Sequence, residues 1–410
     1  MRFDDYRISA DIKNNLNEMG FVRPTDIQFK SIPPVQNGED LLAIAQTGTG
    51  KTAAFAIPVI DRIQYLNYKK IRGIKAVVMV PTRELASQIT ETFHKIARNT
   101  GVRTMALYGG VEEDKQIKNL EQGTDILVST PGRLFDLRSR GFIHFNNVKF
   151  LILDEADRML ELGFYKDIED LIRHLPEKRQ TLFYSATIDD KIKRLAYKLV
   201  KGNAIRIQLS PNDPVSKNVS HAVSFIEMDD KRFFLERMIS ENPESKILVF
   251  VRTKVRAERV KSAMQRVQII TDTIHGDKDQ REREDVLLRF KSGALKVLIA
   301  TDVSARGIDI PNVDYVINYD LPDKAENYVH RVGRTGRGKN KGQAYSFCAK
   351  EELPLLKDIE QFITKPVEVI PIDKKDYSNT ITFSDAGEDN WKQLIADDKK
   401  ELLKKRKKKK

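Results

Sequence analysis

Two groups of residues have the types and spacing needed to hold and cut a nucleoside triphosphate. The first is the loop Ala45-Gln46-Thr47-Gly48-Thr49-Gly50-Lys51-Thr52, which lies between an apolar run and a helical pattern. Such a loop offers backbone N–H groups, a lysine and a hydroxyl to phosphates and Mg²⁺. The second is Asp154-Glu155-Ala156-Asp157, which directly follows the apolar run 150–153. Together the two groups predict an NTPase.

The polar residues of the two groups have distinct expected roles. Lys51 neutralises the β- and γ-phosphates, while Thr52 and Asp154 ligate Mg²⁺. Glu155 orients and deprotonates the attacking water. Each group alone has an ordinary structural interpretation, as a glycine turn with a surface lysine or as an acidic helix start. Their presence in one chain favours the triphosphate site.

Length and composition bound the class of protein. The chain has 410 residues, of which 40% are hydrophobic and 32% charged, so two or three soluble domains are expected. No apolar run exceeds five residues and the first residues lack an apolar signal core, so neither a membrane span nor export is expected. The single cysteine, Cys348, follows an apolar run and predicts an inert core thiol in a reducing, cytoplasmic location.

The net charge of +12 is unevenly distributed. Residues 399–410 contain nine basic residues and one glutamate, a net of +8, so the rest of the chain carries only +4. Such a polycation repels itself into an extended state. It is either a solubilising tail or, as we favour, a sequence-independent attraction for phosphates.

Short apolar runs alternate with helical patterns, which predicts parallel sheets covered by helices on both faces. The predicted strands are 41–45, 75–80, 125–128, 149–153, 180–184, 246–251, 296–300, 313–318 and 343–348. The predicted helices include 84–97, 165–175, 230–240, 253–265, 280–290 and 350–362. The Pro-, Asn- and Ser-rich stretch around 208–216 breaks the pattern, so we place a linker there.

These observations predict two similar α/β domains joined by a short linker, with ligands bound where the domains meet. The expected organisation is an N-terminal segment over 1–30, a first domain over 31–207, a linker over 208–218, a second domain over 219–371, and a polar, lysine-rich, disordered tail over 372–410.

Eleven short motifs occur in one order along the chain. They are G-F-V-R-P-T-D-I-Q at 20–28, A-Q-T-G-T-G-K-T at 45–52, P-T-R-E-L-A at 81–86, G-G at 109–110, T-P-G-R at 130–133, D-E-A-D at 154–157, S-A-T at 185–187, V-F-V-R-T at 249–253, A-T-D at 300–302, A-R-G-I-D at 305–309 and H-R-V-G-R-T-G-R at 330–337. This set resembles the DEAD-box ATP-dependent RNA helicases of superfamily 2, over roughly residues 3 to 350. The basic tail is similar to that of short bacterial members, and the resemblance implies two tandem RecA-like domains.

The resemblance implies roles in the ATP site. Gln28 is expected to read the adenine base, since an amide can pair bidentately with adenine. Phe21 is expected to stack on that base. Asp309 is expected to reach the ribose. Arg334 and Arg337 resemble arginine fingers that act on the γ-phosphate, so hydrolysis would require the domains to close. Ser185, Thr187 and His330 resemble the residues that couple ATP to RNA.

The resemblance also implies an RNA groove that contacts the backbone and no base edge, so binding should be sequence-tolerant. The expected contacts are Thr82, Arg83, Gly109, Gly110, Thr130 and Arg133 in the first domain and Arg252, Gln280, Arg283, Thr301 and Asp302 in the second. Each residue alone is also common in ordinary turns and helix caps, so only the ensemble is persuasive.

The expected function is therefore an ATP-driven RNA helicase that unwinds short duplexes or remodels RNA–protein complexes. One alternative is an ATP-regulated RNA clamp or assembly platform with little processive unwinding, which the same residues would serve. A second alternative is a duplex-DNA translocase of the wider superfamily, whose signatures differ at Gln28 and at 154–157. The expected partners are single-stranded and short duplex RNA, with ribosome-assembly or RNA-decay machinery as the setting. A monomer without membrane contact is expected.

Overall fold

A computed structural model describes residues 1–45, 48–209, 218–302, 313–336 and 341–382. The described residues divide into two compact units, one ending at 209 and the other beginning at 218. Each unit is built on its own sheet and is treated separately below.

The first unit alternates strands with helices along most of its length. Its strands are β1 (Leu41–Ala45), β2 (Ala76–Met79), β3 (Thr104–Leu107), β4 (Ile126–Ser129), β5 (Phe150–Leu153), β6 (Gln180–Ser185) and β7 (Ile205–Leu209). Its helices are α1 (Ala10–Glu18), α2 (Asp26–Gln36), α3 (Lys51–Tyr68), α4 (Arg83–Ile96), α5 (Glu113–Glu121), α6 (Pro131–Ser139), α7 (Ala156–Glu161), α8 (Tyr165–His174) and α9 (Asp190–Leu199), preceded by a 3-10 turn at Phe3–Asp5.

The first sheet is parallel, in the order β3-β4-β2-β5-β6-β1-β7. Its central strands are continuous apolar runs because helices cover both faces and leave no solvated side. Two apolar clusters form, one on each side of the sheet. Residues that alternate along β2 show this division, since Val78 belongs to one cluster and Val77 to the other.

The second unit repeats the pattern. Its strands are β8 (Val219–Phe225), β9 (Ile247–Val251), β10 (Thr271–Ile274), β11 (Val297–Thr301), β12 (Tyr315–Asn318), β13 (Gly342–Cys348) and β14 (Glu368–Val369). Its helices are α10 (Lys231–Glu241), α11 (Lys254–Arg266), α12 (Gln280–Ser292), α13 (Ala325–Val332), α14 (Leu353–Ile363) and α15 (Lys374–Thr382), with a 3-10 turn at Lys350–Glu352.

The second sheet is also parallel, in the order β10-β11-β9-β12-β13-β8-β14. When the strands of each unit are counted from its own start, this order is the same as that of the first sheet. The prediction of two similar α/β domains with mainly parallel sheets is therefore confirmed. Strands that occupy the same place in the two sheets, such as β2 and β9, can be compared directly.

Two boundaries of the predicted segments need adjustment. Residues before 31 are part of the first unit, because Phe3, Ile12 and Leu16 are buried in the same apolar cluster as Leu41. The predicted linker begins two residues too early, since β7 runs to Leu209. The rest of the linker, 210–217, lies outside the described residues.

The predicted disorder from residue 372 onward is wrong over α15. The Tyr377 ring packs 4.9 Å from that of Phe234, its hydroxyl donates to Asp230, and the backbone N–H of Glu227 donates to the same hydroxyl. Arg237 adds an ion pair with Asp376. These contacts stabilise a short polar helix that propensity alone would not favour. Residues 383–410, including the basic run, lie outside the described residues.

Cys348 lies at the end of β13 and is buried, as expected for an inert core thiol. Burial raises the pKa of its thiol to about 11, which disfavours the reactive thiolate. In the described parts of the chain, no helix combines the length and apolarity that a membrane crossing requires.

A buried ion pair ties α10 to the loop before α14. Lys231 is fully buried, pairs with Glu352, and donates to the backbone oxygen of Tyr319 at 2.7 Å. Burial lowers the pKa of Lys231, an effect that the charge of Glu352 opposes. Glu352 also accepts from the backbone N–H groups of Leu321 and Ala349. Its carboxylate therefore joins three segments of the second unit.

We expect Lys231→Met to destabilise the second unit by up to about 3 kcal/mol, because it removes the buried cation of the Glu352 carboxylate and leaves that carboxylate paired with Arg252 at 3.3 Å. Hydrogen exchange of α10 amides, followed by mass spectrometry, measures this loss. The double variant Lys231→Met/Glu352→Gln should recover part of it. Lys95→Met, which breaks an exposed pair with Glu91, is the control and should change little. Equal effects of the two single variants would contradict the prediction.

Candidate functional site

The residues expected to bind nucleotide lie at one edge of the first sheet. Ala45 ends β1, Asp154 follows β5 and Ser185 ends β6, and these three strands are neighbours in the order β5-β6-β1. The carboxyl ends of parallel strands meet at this edge, where α/β proteins bind ligands. The structure therefore brings together residues that are more than a hundred positions apart.

The phosphate loop ends where α3 begins. Gly50 caps this helix in the left-handed region, with φ 95°, and Lys51 is its first residue. The Lys51 side chain is buried, with Nζ 4.0 Å from Asp154 Oδ1. Gln46 and Thr47 lie outside the described residues. A buried ammonium at a helix N-terminus creates a positive site suited to phosphate.

The start of α2 contacts the phosphate loop directly. The Thr25 hydroxyl donates to the backbone oxygen of Thr49 at 2.8 Å, and Gln28 Nε2 donates to that of Gly50 at 3.2 Å. A Cβ on Gly50 would lie 2.5 Å from Gln28 Nε2, so this close approach needs glycine. Thr25 was not predicted as a site residue. The signal for it was the Thr-x-x-Gln capping box that opens α2.

Gln28 has a second role beside the expected one. Its Oε1 accepts from the Thr25 backbone N–H at 2.9 Å while its Nε2 holds the loop. A primary amide has two N–H donors and two lone pairs, so one of each is left for a base edge. The expected partner Phe21 is half-buried, with its ring 5.8 Å from that of Phe3 in an edge arrangement. Both residues belong to the first unit, although they were predicted to lie in a separate N-terminal segment.

Asp154 is a buried carboxyl that needs a cation. Burial raises the pKa of its carboxyl group, and the charge of Lys51 opposes that rise. The described residues contain no cluster of three acidic, histidine or cysteine ligands. A site with Asp154 as its protein carboxylate fits Mg²⁺, which commonly uses one or two protein carboxylates together with phosphate oxygens.

Glu155 has an unusual backbone. It caps α7 with φ 51°, a left-handed conformation that is rare for a residue with a Cβ. The Glu155 backbone N–H donates to Asp154 Oδ1 at 3.0 Å, which orients the Asp154 carboxylate. Backbone strain of this kind concentrates at functional sites, where the surrounding structure holds it. Asp154 and Glu155 therefore have different surroundings that suit different roles.

Asp157 links the acidic motif to the segment after β6. Its Oδ2 accepts from the backbone N–H groups of Ala186 and Thr187 at 3.1 and 3.0 Å, and from the Thr187 hydroxyl at 3.2 Å. The coupling segment was predicted, but this partner was missed. A sequence pattern does not show which residues thirty positions apart are in contact. The contact fixes the position of Thr187 relative to the motif at 154–157.

The residues expected to bind RNA lie at the same edge of the first sheet, beyond β5. They follow β2, β3 and β4, in the spatial order β3-β4-β2. Arg83 crosses the glycine pair, since a Cβ on Gly110 (φ 85°) would lie 2.1 Å from its Nη1. The structure therefore brings Arg83, Gly109 and Gly110 together. Thr130 caps α6 at the end of the neighbouring strand.

Two of the predicted RNA contacts in the first unit already have protein partners. The Thr82 hydroxyl accepts from the Leu85 N–H at 3.3 Å as the cap of α4. Arg133 lies 3.5 Å from Glu113 and 3.7 Å from Asp136. A phosphate would compete with these carboxylates for the Arg133 guanidinium. The interaction of Arg133 with Glu113 was not foreseen.

In the second unit the predicted RNA contacts follow β9, β10 and β11. These strands hold the places that β2, β3 and β4 hold in the first sheet. Arg252 pairs with Glu352 at 3.3 Å, and its backbone N–H donates to Asp320. Gln280 opens α12 and donates to Glu284 at 3.0 Å. Arg283 lies one turn further along the same helix.

Arg331, which was not predicted, organises the carboxyl edge of the second sheet. It forks onto Asp302, with Nε to Oδ1 at 2.6 Å and Nη2 to Oδ2 at 2.8 Å. Its Nη1 donates to Asn318 Oδ1 and to the backbone oxygen of Asp320. Its guanidinium also lies over the Phe250 ring. Asp302, which follows the buried Thr301 at the end of β11, is thereby fixed to α13.

The same helix and the segment after it carry two more predicted residues. His330 lies on α13, and the backbone oxygen of His330 accepts from Arg334 Nε at 3.2 Å. Arg334 is 4% exposed. Asp309 and Arg337 lie outside the described residues, so their predicted roles remain predictions.

Comparison with known families accounts for both units. A model of the DEAD/DEAH box helicase family matches residues 25–195. A model of the helicase conserved C-terminal domain matches residues 230–339. The two matches cover the motifs on which the resemblance was based, apart from residues 20–24 of the first motif.

Relatives that match over most of this chain are named ATP-dependent RNA helicases. The chain is 38% identical over 369 residues to the ATP-dependent RNA helicase CshA of Listeria monocytogenes, covering 90% of this chain and 70% of the relative. It is 37% identical over 370 residues to the DEAD-box ATP-dependent RNA helicase RhpA of Helicobacter pylori, covering 90% of this chain and 74% of the relative.

Solved structures give the same result. Saccharomyces cerevisiae Dbp5 bound to RNA and ADP BeF3 matches with TM-score 0.84 and 29% identity, covering 93% of this chain and 99% of that chain. Mss116p bound to ssRNA and AMP-PNP matches with TM-score 0.84 and 29% identity, covering 95% and 83%. The predicted tandem RecA-like fold is thereby confirmed. The chain belongs to the DEAD-box family of ATP-dependent RNA helicases.

Proposed function

We propose that this protein is an ATP-dependent RNA helicase that grips the RNA backbone and uses ATP to unwind short duplexes or to remodel RNA–protein complexes. One observation carries the proposal. At a single edge of the first sheet, the nucleotide residues after β1 and β5 adjoin the RNA residues after β2, β3 and β4. Asp157 and Thr187 form a hydrogen-bonded link at that edge. A change at the γ-phosphate can therefore reach the RNA side over a short path.

The first unit supplies the chemistry of hydrolysis. Lys51 and the backbone amides at the start of α3 bind the phosphates, and Glu155 orients water and accepts its proton. Mg²⁺, when bound by Thr52 and Asp154, neutralises charge on the phosphate oxygens. Burial excludes bulk water from Lys51 and Asp154, which strengthens their electrostatic effect on a bound phosphate.

The second unit supplies Arg334 to the γ-phosphate, as the family resemblance implies. Asp309 and Arg337 would act on the same nucleotide. ATP and RNA favour the same closed arrangement, so each ligand tightens the other by the same factor. Hydrolysis and loss of phosphate then release the RNA. The Arg331–Asp302 fork supports this coupling, because it joins the helix that precedes Arg334 to a predicted RNA contact.

The cellular setting belongs to the same proposal. Cys348 is a free, buried thiol, which suits a reducing cytoplasm. Ribosome assembly and RNA decay are settings in which short duplexes need local opening. We propose that the protein acts there as a monomer on RNA of any sequence.

ATP turnover should be compared with RNA, with DNA of the same sequence, and without nucleic acid. We expect RNA, but not DNA, to stimulate turnover. We also expect a strand-displacement assay to show ATP-dependent opening of a short duplex. Equal turnover with and without RNA would reject the proposal. RNA-stimulated turnover without strand displacement would favour the clamp alternative, and stimulation by duplex DNA would favour the translocase.

A further inference from the structure

A groove on the second unit has no role in the function described so far. It lies beside α11 and the start of α10 and encloses a cavity of about 510 Å³. Its apolar lining residues include Met228, Val255, Val260 and Ala263. We call it the α11 groove. Its size is within the range of ligand sites, so its charge decides which ligand it fits.

Basic side chains dominate the rim of the α11 groove. Among the described residues, five basic and three acidic side chains line it: Arg232, Lys254, Arg256, Arg259 and Arg266, against Asp229, Glu258 and Asp277. Two of the acidic groups are already engaged. Lys254 pairs with Asp277 at 2.5 Å, and His275 Nε2 lies 2.7 Å from Glu258. Arg256 also pairs with Asp320, 3.3 Å away, and the lining as a whole has two more basic than acidic side chains among the described residues.

Arg259 and Arg266 lie on a stripe along one face of α11. Val255, Arg259, Ser262 and Arg266 follow one another at helical spacing, so they share one face for about 16 Å. From α10, Arg232 faces this stripe. Burial lowers the pKa of Arg232 and the charge of Arg266 lowers it further, while Asp229 and Asp230 oppose both effects. Two guanidinium groups that repel each other are stabilised by an anion placed near both.

The upper end of the α11 groove adjoins the predicted RNA contacts of the second unit. Lys254 follows Thr253, the cap of α11, and Arg252 directly precedes that cap. On the other side, Asp277 lies on the segment that leads from β10 to Gln280. His275, also on this segment, is 6% exposed, and its Nδ1 has no hydrogen-bond partner within the described residues. An anionic chain that contacts Arg252 therefore has a positive path along which to continue.

We propose that the α11 groove is an additional RNA-backbone track, which takes the phosphates of RNA that extends beyond the predicted groove. Guanidinium groups bind phosphate by forked hydrogen bonds, and no base edge needs to be read. The track lengthens the RNA footprint without changing the ATP site. The inference depends on the proposed function, because it needs RNA to be held at Arg252.

The test compares a short RNA of ~6 nucleotides with a long RNA of ~20 nucleotides, in the presence of a nonhydrolysable ATP analogue. The variant is Arg259→Glu/Arg266→Glu in the full chain, since both residues are exposed on one helix. The matched control is Lys291→Glu/Lys357→Glu, which makes the same charge change on exposed faces of α12 and α14. Fluorescence anisotropy at several salt concentrations measures the affinity for each RNA.

We expect the variant to lose about tenfold in affinity for long RNA, to keep its affinity for short RNA, and to show a salt slope that is shallower by about 1.4 for long RNA. The control should bind each of the two RNAs nearly as tightly as the native protein does. Equal losses on both RNAs, or no loss on long RNA, would overturn the proposal. So would a variant that loses only binding to poly-glutamate, since the groove would then take an acidic protein.

Failure of the proposed function gives a different result. In that case the native protein would show no stimulation of ATP turnover by either RNA. The α11 track is judged by the difference between long and short RNA, which remains measurable as long as the native protein binds RNA at all.

Discussion

Glu155→Gln is expected to lower RNA-stimulated ATP turnover by about 10²–10⁴-fold while leaving ATP affinity nearly unchanged. Glutamine has the shape of glutamate but cannot accept the proton of the attacking water. The strained backbone at φ 51° holds this side chain in place, and the substitution does not alter the backbone. Single-turnover hydrolysis and a fluorescent ATP analogue separate the chemical step from binding.

Two further variants make the Glu155 test specific. Glu121→Gln removes an exposed carboxylate from α5 and should leave turnover as it is. Asp154→Asn should weaken the dependence of ATP binding on Mg²⁺, because Asp154 is the buried carboxyl 4.0 Å from Lys51. A Glu155→Gln protein with native turnover would show that another group takes the proton.

The strands that sequence patterns did not predict have a common location. Four of the five, β3, β7, β10 and β14, lie at the edges of their sheets. An edge strand has fewer covering neighbours, so its sequence need not be a continuous apolar run. β10 contains Thr271 and Asp272, and β3 alternates between buried and half-buried residues. Central strands such as β5, which are buried throughout, were predicted to within a residue or two.

Residue type and order were sufficient to predict which residues form the site, but not how they contact one another. Asp157 with Thr187, Thr25 with Thr49, and Arg331 with Asp302 are distant in sequence, and the strand order brings them together. Without that order, a polar residue in a motif has no identified partner. The second role of Gln28, which holds the phosphate loop, depends on such a contact.

Arg133 shows the same limit in another form. The motif predicts a free guanidinium for RNA, but Glu113, on another helix, lies 3.5 Å away. RNA binding at Arg133 therefore includes an exchange of one anion for another. Such an exchange contributes less net affinity than a contact to an arginine that begins in water.

Arg334→Ala is expected to lower ATP turnover by about 10³-fold or more, the usual effect of losing an arginine finger. ATP affinity should change little, because Lys51 and the phosphate loop belong to the other unit. Arg334 is 4% exposed, and its Nε donates to the backbone oxygen of His330. Turnover and ATP affinity are measured in saturating RNA, as for Glu155→Gln.

Three comparisons separate a catalytic loss from a structural one. Lys51→Ala should weaken ATP binding itself, so it shows what loss of the phosphate site looks like. Arg334→Lys keeps the charge but not the planar fork, and we expect it to recover only part of the turnover. Lys357→Ala, an exposed change on α14, should have no effect. If Arg334→Ala kept turnover within about threefold of the native value, Arg334 would not be the arginine finger, and Arg337 or a residue of the first unit would have to stabilise the γ-phosphate. If turnover fell and RNA affinity in the presence of the ATP analogue fell with it, the Arg331–Asp302 fork would be the part affected, since it fixes the helix that precedes Arg334. Only the loss of turnover with both affinities retained identifies Arg334 as the group that acts on the phosphate being transferred.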